Sequence, residues 1–404
     1  MNNEQKTGIS RRTLIKGAAA AGGLVAASSF VPYRFAIGQQ APVKIGILLP
    51  YSGTYAMLGN AITDAMKMRI AAAGDMLGGR PVEYVAIDSE MSVPKAPQNT
   101  SKLVDKDRVD FLVGPVHSGI AAAMAKMVGG RDSPIMIVPN AGANGVTGGL
   151  CAPNIFRTSF TNWQPAYPGG TVMANDGHKT CITIAWKYAA GREMMDAGTD
   201  AFTKAGGKVI KDIEVPFPDV EFQAYLSEIA SIKPDAVFAF FSGGGATKFI
   251  KDYAAAGLKS IPLYGPGFLT DGVEQAVGAA GDGIRTTLHY SNDLDNPSNV
   301  AFRDAYRKAT GRGADVFAVQ GYDAGSLIVQ AMAAVKGDTG ASADLIKAME
   351  NANFVDSPRG PWKMSKAHNP IQNIYLRELR GGAQKYLGVA TEALEDPATG
   401  CKMV

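Results

Sequence analysis

Cysteine is scarce: three residues in a chain of 404, with no Cys-x-x-Cys among them. That removes zinc ribbons and thioredoxin-type redox centres. Histidine is almost as rare. His117, His178, His289 and His368 are scattered, with no metal-ligand spacing. No Gly-x-Ser-x-Gly is present, so no nucleophile elbow is evident. No Gly-x-Gly-x-x-Gly follows the first strand. The Ser242-Gly243-Gly244-Gly245 run lacks the Lys-Ser/Thr of a phosphate-binding loop. Nothing points to a catalytic centre, a metal or a cofactor. Charge of one sign is also lacking. Of the formal +3, the basic excess sits in the first 38 residues, where Lys6, Arg11, Arg12, Lys16 and Arg34 face Glu4. The remainder is close to neutral, which argues against nucleic-acid binding.

The basic start has its own meaning. Ser10-Arg11-Arg12-Thr13-Leu14-Ile15-Lys16 precedes a small-residue, weakly apolar run from Gly17 to Val31. A charged start, an apolar stretch and small residues before a cleavage point make an export signal over 1–38, with cleavage expected at Ala36-Ile37-Gly38. The paired arginines resemble the twin-arginine signal. The apolar run is too short and too rich in Gly and Ala to stay as an anchor. In an oxidising compartment one disulfide and one free thiol are expected. Cys181 lies in an apolar strand and reads as core, which leaves Cys151 with Cys401 as the pair.

From Val43 onward, short apolar runs alternate with helix-period segments. KIGILLP, VEYVAID, VDFLVGP and PIMIVPN read as buried strands. Between them lie helical stretches over 58–73, 94–106 and up to Val128. The alternation starts again after Trp163, with strands at CITIAW, KVIKDIEV, AVFAFFS, IPLYGPG and IRTTLHY. Long helices follow over 316–335 and 343–352. IQNIYLREL and KYLGVA close the chain as a hairpin around Gly381-Gly382. Repeated strand–helix units imply parallel sheets with helices on both faces, so the fold class is α/β with two doubly wound lobes.

Ligands of open parallel sheets sit beyond the carboxyl ends of the strands. Those ends read PYSGTYAMLG, GPVHSG, PNAGANG, WKYAAG, FFSGGG and YGPGF. Each joins glycine to aromatic or hydroxyl groups. Glycine lets backbone approach a ligand, and the helix starts that follow offer free N–H groups to an anion. His117 and Ser118 fit a carboxylate contact and equally a helix cap. Trp163 and Trp186 read as core, and Arg157 as a structural group.

Together KIGILLPYSGTYAMLG, VDFLVGPVHSG, IVPNAGAN, NIFRT, KYAAGRE and GYDAGSLIVQAM resemble the periplasmic substrate-binding proteins of ABC importers, of the Leu/Ile/Val-binding type. The resemblance covers 43–390 and implies the type I periplasmic binding protein fold, two lobes joined by three crossing segments near 160, 288 and 370. It divides the chain into 42–160 plus 289–370 as the first lobe and 161–288 plus 371–404 as the second. It also implies site residues. Ser118 takes the place of a carboxylate-binding serine, with His117 beside it. Asn140, Ala141 and Gly142 take the place of a ligand-contacting loop, and Leu58, with Tyr55, that of a covering side chain. Tyr188 matches a closing tyrosine of the second lobe. Ser242 falls in the cleft wall.

One departure shapes the ligand expectation. Amino-acid binders carry an acidic residue after the Gly-Pro of the YGPGF loop, and here Gly267 and Phe268 stand there. A buried ammonium without a partner costs several kcal/mol, roughly. The resemblance therefore implies a carboxylate without an α-amino group, an aromatic acid above all, with branched-chain amino acid uptake as the alternative. Capture rather than catalysis is expected, by a periplasmic monomer that delivers its ligand to a membrane permease. A sensory ligand-binding protein is the other alternative; it would want a signalling module, which this sequence does not show.

Overall fold

A computed structural model describes residues 41–404. The export signal and its cleavage site fall outside the described residues. Strand β1 (Val43–Leu49) leads into α1 (Ala56–Ala71), then β2 (Met76–Leu77), β3 (Arg80–Asp88), α2 (Ala96–Ser101), β4 (Phe111–Val113), α3 (Ser118–Val128), β5 (Ile135–Val138) and β6 (Ile155–Arg157). These strands form one sheet in the order β2-β3-β1-β4-β5-β6, parallel apart from β2. β1, β4, β5 and β6 are almost wholly buried, as their unbroken apolar runs require of strands covered on both faces.

The chain then enters a second unit: α4 (Trp163–Asn175), β7 (Thr180–Lys187), α5 (Ala189–Lys204), β8 (Lys208–Pro216), α6 (Gln223–Ile232), β9 (Ala236–Phe240), α7 (Gly243–Ala255), β10 (Leu263–Pro266), α8 (Glu274–Val277) and β11 (Arg285–Leu288). It returns through α9 (Pro297–Thr310), α10 (Val316–Ala334) and α11 (Ser342–Glu350), with α10 packed along α1. It ends with β12 (Asn353–Phe354), β13 (Trp362–Met364), β14 (Pro370–Arg380) and β15 (Ala383–Leu394). The second sheet runs β12-β13-β14-β11-β10-β9-β7-β8, with β15 paired to β14 through a two-residue turn at Gly381-Gly382. Two doubly wound α/β lobes result, as expected. Among the described residues, no helix is long and apolar enough to cross a membrane.

Three features differ from the sequence reading. Helix α9 was not anticipated: it buries only Asn299, Phe302 and Tyr306, so its apolar stripe is thin, although Asn296 caps it and Pro297 opens it. Strands β12 and β13 precede residue 370, yet they extend the second sheet instead of staying with the first lobe. Beyond Leu394 the tail leaves that sheet. Thr161 Oγ1 donates to Asp396 Oδ2 at 2.6 Å, and Cys401 joins Cys151 in the β5–β6 connection. The expected disulfide is therefore present, and Cys181 is the buried free thiol, with burial pushing its pKa up to about 12.

Candidate functional site

Three helices begin at one place. Ser118 opens α3, Ala190 lies in the first turn of α5, and Ser242 precedes α7; all three line one small cavity between the lobes. Each helix start brings N–H groups without intrahelical acceptors and the positive end of a helix dipole. The rest of the wall is largely aromatic and aliphatic: Tyr55, Leu58, Phe160, Tyr188, Phe240, Phe268 and Phe317, with Val116 and Met194. Asn140, Gly142 and Asn162 complete it. Among the described residues, no charged side chain lines it.

The two lobes touch across this cavity. The Tyr55 and Tyr188 hydroxyls are 2.9 Å apart, and Gly245 N donates to Thr54 Oγ1 at 3.3 Å. On another side, Glu193 Oε2 of α5 accepts from Asn144 N at 2.9 Å and from Asn162 Nδ2 at 2.7 Å. These contacts hold the two lobes against each other over the cavity.

Eight of the expected residues therefore stand together: Tyr55, Leu58, Ser118, Asn140, Gly142, Tyr188, Ser242 and Phe268. Three stand elsewhere, each for a structural reason. His117 turns back to cap α3, with Nδ1 accepting from Gly119 N at 3.0 Å, and stacks on Tyr188 at 4.6 Å. Burial lowers its pKa to about 4, so it offers no cation to a carboxylate. Ala141 spends its N–H on Pro115 O, and its methyl group is core. Gly267 faces away: a Cβ there would collide with Nη2 of Arg377 and lie 2.6 Å from Leu288 Cβ.

Other wall residues escaped the sequence reading. Phe160 and Asn162 come from the first crossing, Phe240 from the tip of β9, and Phe317 from the start of α10. Gln320, on α10, accepts from Asn140 Nδ2 at 2.7 Å and so holds that amide in place. Gly142 must be glycine, because a Cβ would sit 2.5 Å from Cε2 of Phe160. Trp186 is core, as expected, its Nε1 donating to Asp219 O at 2.8 Å. Arg157 is wholly buried and donates to the carbonyls of Phe160 and Ala143.

A knot of charge lies close to Phe268 in sequence and space. Asp271 pairs with the fully buried Arg377 and accepts from Val316 N at 3.0 Å. Asp315 caps α10 through Ala318 N. Desolvation, followed by the Asp271 charge, lifts Asp315 to about 7 and raises Glu274 as well. The folded state thus holds protons on these acids that the unfolded chain has released above about pH 4, so their contribution falls as pH rises. The lowered values of His117, His289 and His368 act oppositely, but only below about pH 6.5. Melting temperature should therefore decline from pH 6.5 to 8, each group adding a slope of at most about 1.4 kcal/mol per pH unit. Asp315→Asn keeps a capping oxygen and should flatten that decline; an unchanged profile would reject this account.

Two α/β lobes meeting over a shared cavity are the architecture of the solute-binding proteins this chain resembles. The chain belongs to the periplasmic binding protein family, matching it over residues 42–384. It is 34% identical over 351 residues to Leu/Ile/Val-binding protein homolog 6 of Brucella abortus (strain 2308), covering 83% of this chain and 87% of that one. Among solved structures, the solute-binding protein of an ABC transporter from R. palustris, in complex with benzoate, is 54% identical with a TM-score of 0.87, covering 90% of this chain and all of that one. A solute-binding protein from Rhodopseudomonas palustris BisB5, in complex with 3,4-dihydroxy benzoic acid, is 30% identical with a TM-score of 0.83, covering 88% and 99%.

Proposed function

We propose that this protein captures an aromatic carboxylate in the inter-lobe cavity and delivers it to an ABC permease. One observation carries the reading. The cavity offers a carboxylate three helix starts and Ser118, and it offers an α-ammonium no carboxylate at all. Ser118 Oγ accepts from Asn162 Nδ2 at 3.4 Å, which leaves its own hydrogen free for the ligand. Asn140, held by Gln320, has a second amide hydrogen to give. The ring packs among Phe160, Phe240, Phe268 and Phe317, and the Tyr55–Tyr188 pair closes over it. Binding at this lobe interface stabilises the closed state, which is what a permease can read. The chain is no enzyme in this reading. It is exported to the periplasm by the twin-arginine route and works there as a monomer. Residues 42–160 and most of 289–352 make one lobe, and the second sheet with its helices makes the other. The relatives with benzoate and dihydroxybenzoate bound support the ligand class.

Calorimetry on the purified protein with benzoate, phenylpropanoids and leucine tests the proposal. An aromatic acid should bind and leucine should not; binding of leucine alone would overturn it. Ser118→Ala should weaken the bound acid roughly 10- to 100-fold, the range of a hydrogen bond to a charged group.

A further inference from the structure

Asn162 Oδ1 is buried without a hydrogen-bond partner, although a hydroxyl stands beside the same amide. Nδ2, the other end of that amide, donates to Ser118 Oγ at 3.4 Å and to Glu193 Oε2 at 2.7 Å. Turning the amide over would exchange its two ends. Oδ1 would then face Ser118 Oγ and could accept the serine hydrogen, so the orphaned acceptor favours the turned form. Glu193 opposes it. Its Oε2 already receives Asn144 N at 2.9 Å and therefore acts as an acceptor. An amide oxygen in the place of Nδ2 would meet it with no hydrogen between them. Glu193 stands on α5 of the second lobe, whereas Ser118 opens α3 of the first and Asn162 lies just before α4.

Each link sets the direction of the next. Glu193 accepts, so Asn162 donates; Asn162 donates to Ser118 Oγ, so the serine hydrogen is left for the cavity that Ser118 lines. We propose that Glu193 is a positioning residue for ligand capture: acting through Asn162, it aims the Ser118 hydroxyl as a donor at the ligand's carboxylate. The inference rests on the aromatic-acid reading of the cavity. Without Glu193 the serine is free to donate to Asn162 and to turn its lone pairs on the carboxylate, which repels them. A donor fixed in advance binds an anion better than one that must reorient. The residue that aims the serine comes from the opposite lobe, so the donor is set only when the lobes meet. Glu193 touches no ligand in this account, and its effect passes wholly through the serine.

Isothermal titration of the wild-type protein with benzoate, 4-hydroxybenzoate, phenylpropanoate and leucine selects the probe, the aromatic acid held most tightly. Glu193→Met, which removes the acceptor and keeps the bulk, should weaken that acid on the order of tenfold. Glu193→Gln should retain most of the affinity, because its carbonyl oxygen can accept from Asn144 N and Asn162 Nδ2 alike. In a Ser118→Ala background Glu193→Met should cost less than about threefold, since no hydroxyl is left to aim. An equal loss in both backgrounds would make Glu193 a brace between the lobes and overturn the inference. So would an unchanged affinity in Glu193→Met, or a Glu193→Gln as weak as Glu193→Met; all three leave the aromatic-acid reading intact. A wild type that binds none of the three acids would overturn both. Glu193→Ala carries the same prediction should Glu193→Met not fold.

Discussion

Asp271→Ala is expected to cost about 3–5 kcal/mol of stability, because it removes the carboxylate paired directly with the buried Arg377 guanidinium. Both residues are essentially inaccessible, at 1% and 0% side-chain exposure. Arg377 keeps only neutral acceptors after the change: Tyr290 O at 2.9 Å, Gly267 O at 3.1 Å and Thr286 Oγ1 at 3.1 Å. These solvate a cation but do not neutralise it. The substitution also removes the acceptor for Val316 N at the start of α10. Thermal or urea unfolding measures the loss, and a change under about 1 kcal/mol would refute the assignment. Asp271→Ala with Arg377→Met should recover part of the loss, since removing both charges removes the unpaired ion.

The same arginine explains why Gly267 departs from the amino-acid binders. The sequence reading treats that glycine as a missing acid, and the structure adds that the space is already filled. Arg377 and Leu288 occupy the volume an acid at 267 would enter. Asp271, four residues on, supplies negative charge to this guanidinium and not to the cavity. Restoring an acid at 267 would therefore crowd a packed core without making an ammonium site.

Much of the fold was legible because buried parallel strands leave an unbroken apolar signature. β1, β7 and β9 each fall within about two residues of the expected runs. The tips were legible for a related reason: chain direction in a parallel sheet puts every carboxyl end on one side, so Ser118, Asn140, Tyr188 and Ser242 converge. Which atom of a tip faces the cavity is a matter of local hydrogen bonding, and sequence carries little of it. His117 and Ser118 are neighbours with similar chemistry, yet one caps α3 and the other lines the cavity. Phe160, Asn162 and Phe317 were missed because they come from a crossing segment and a helix start, whose placement depends on lobe closure. β12 and β13 are too short to leave a period.

Cys401→Ser should lower stability by about 2–4 kcal/mol, the usual contribution of a native disulfide. The pairing with Cys151 closes a separation of 250 residues, so it withdraws much freedom from the unfolded chain. It also acts as a strut. The tail leaves β15 of the second sheet, and Leu394 O accepts from Gln164 Nε2 at 2.9 Å at the start of α4. Asp396 then takes the Thr161 hydroxyl in the first crossing, and Cys401 reaches the β5–β6 connection of the first lobe. The tail thus links the lobes a fourth time, beside the first crossing. None of its residues lines the cavity. The loss should therefore appear in melting temperature and not in ligand affinity. Wild type melted under a reductant should match Cys401→Ser melted without one. A variant that melts like the oxidised wild type would show that the strut carries no stability, and the hydrogen bonds of Thr161 and Gln164 would then hold the tail alone.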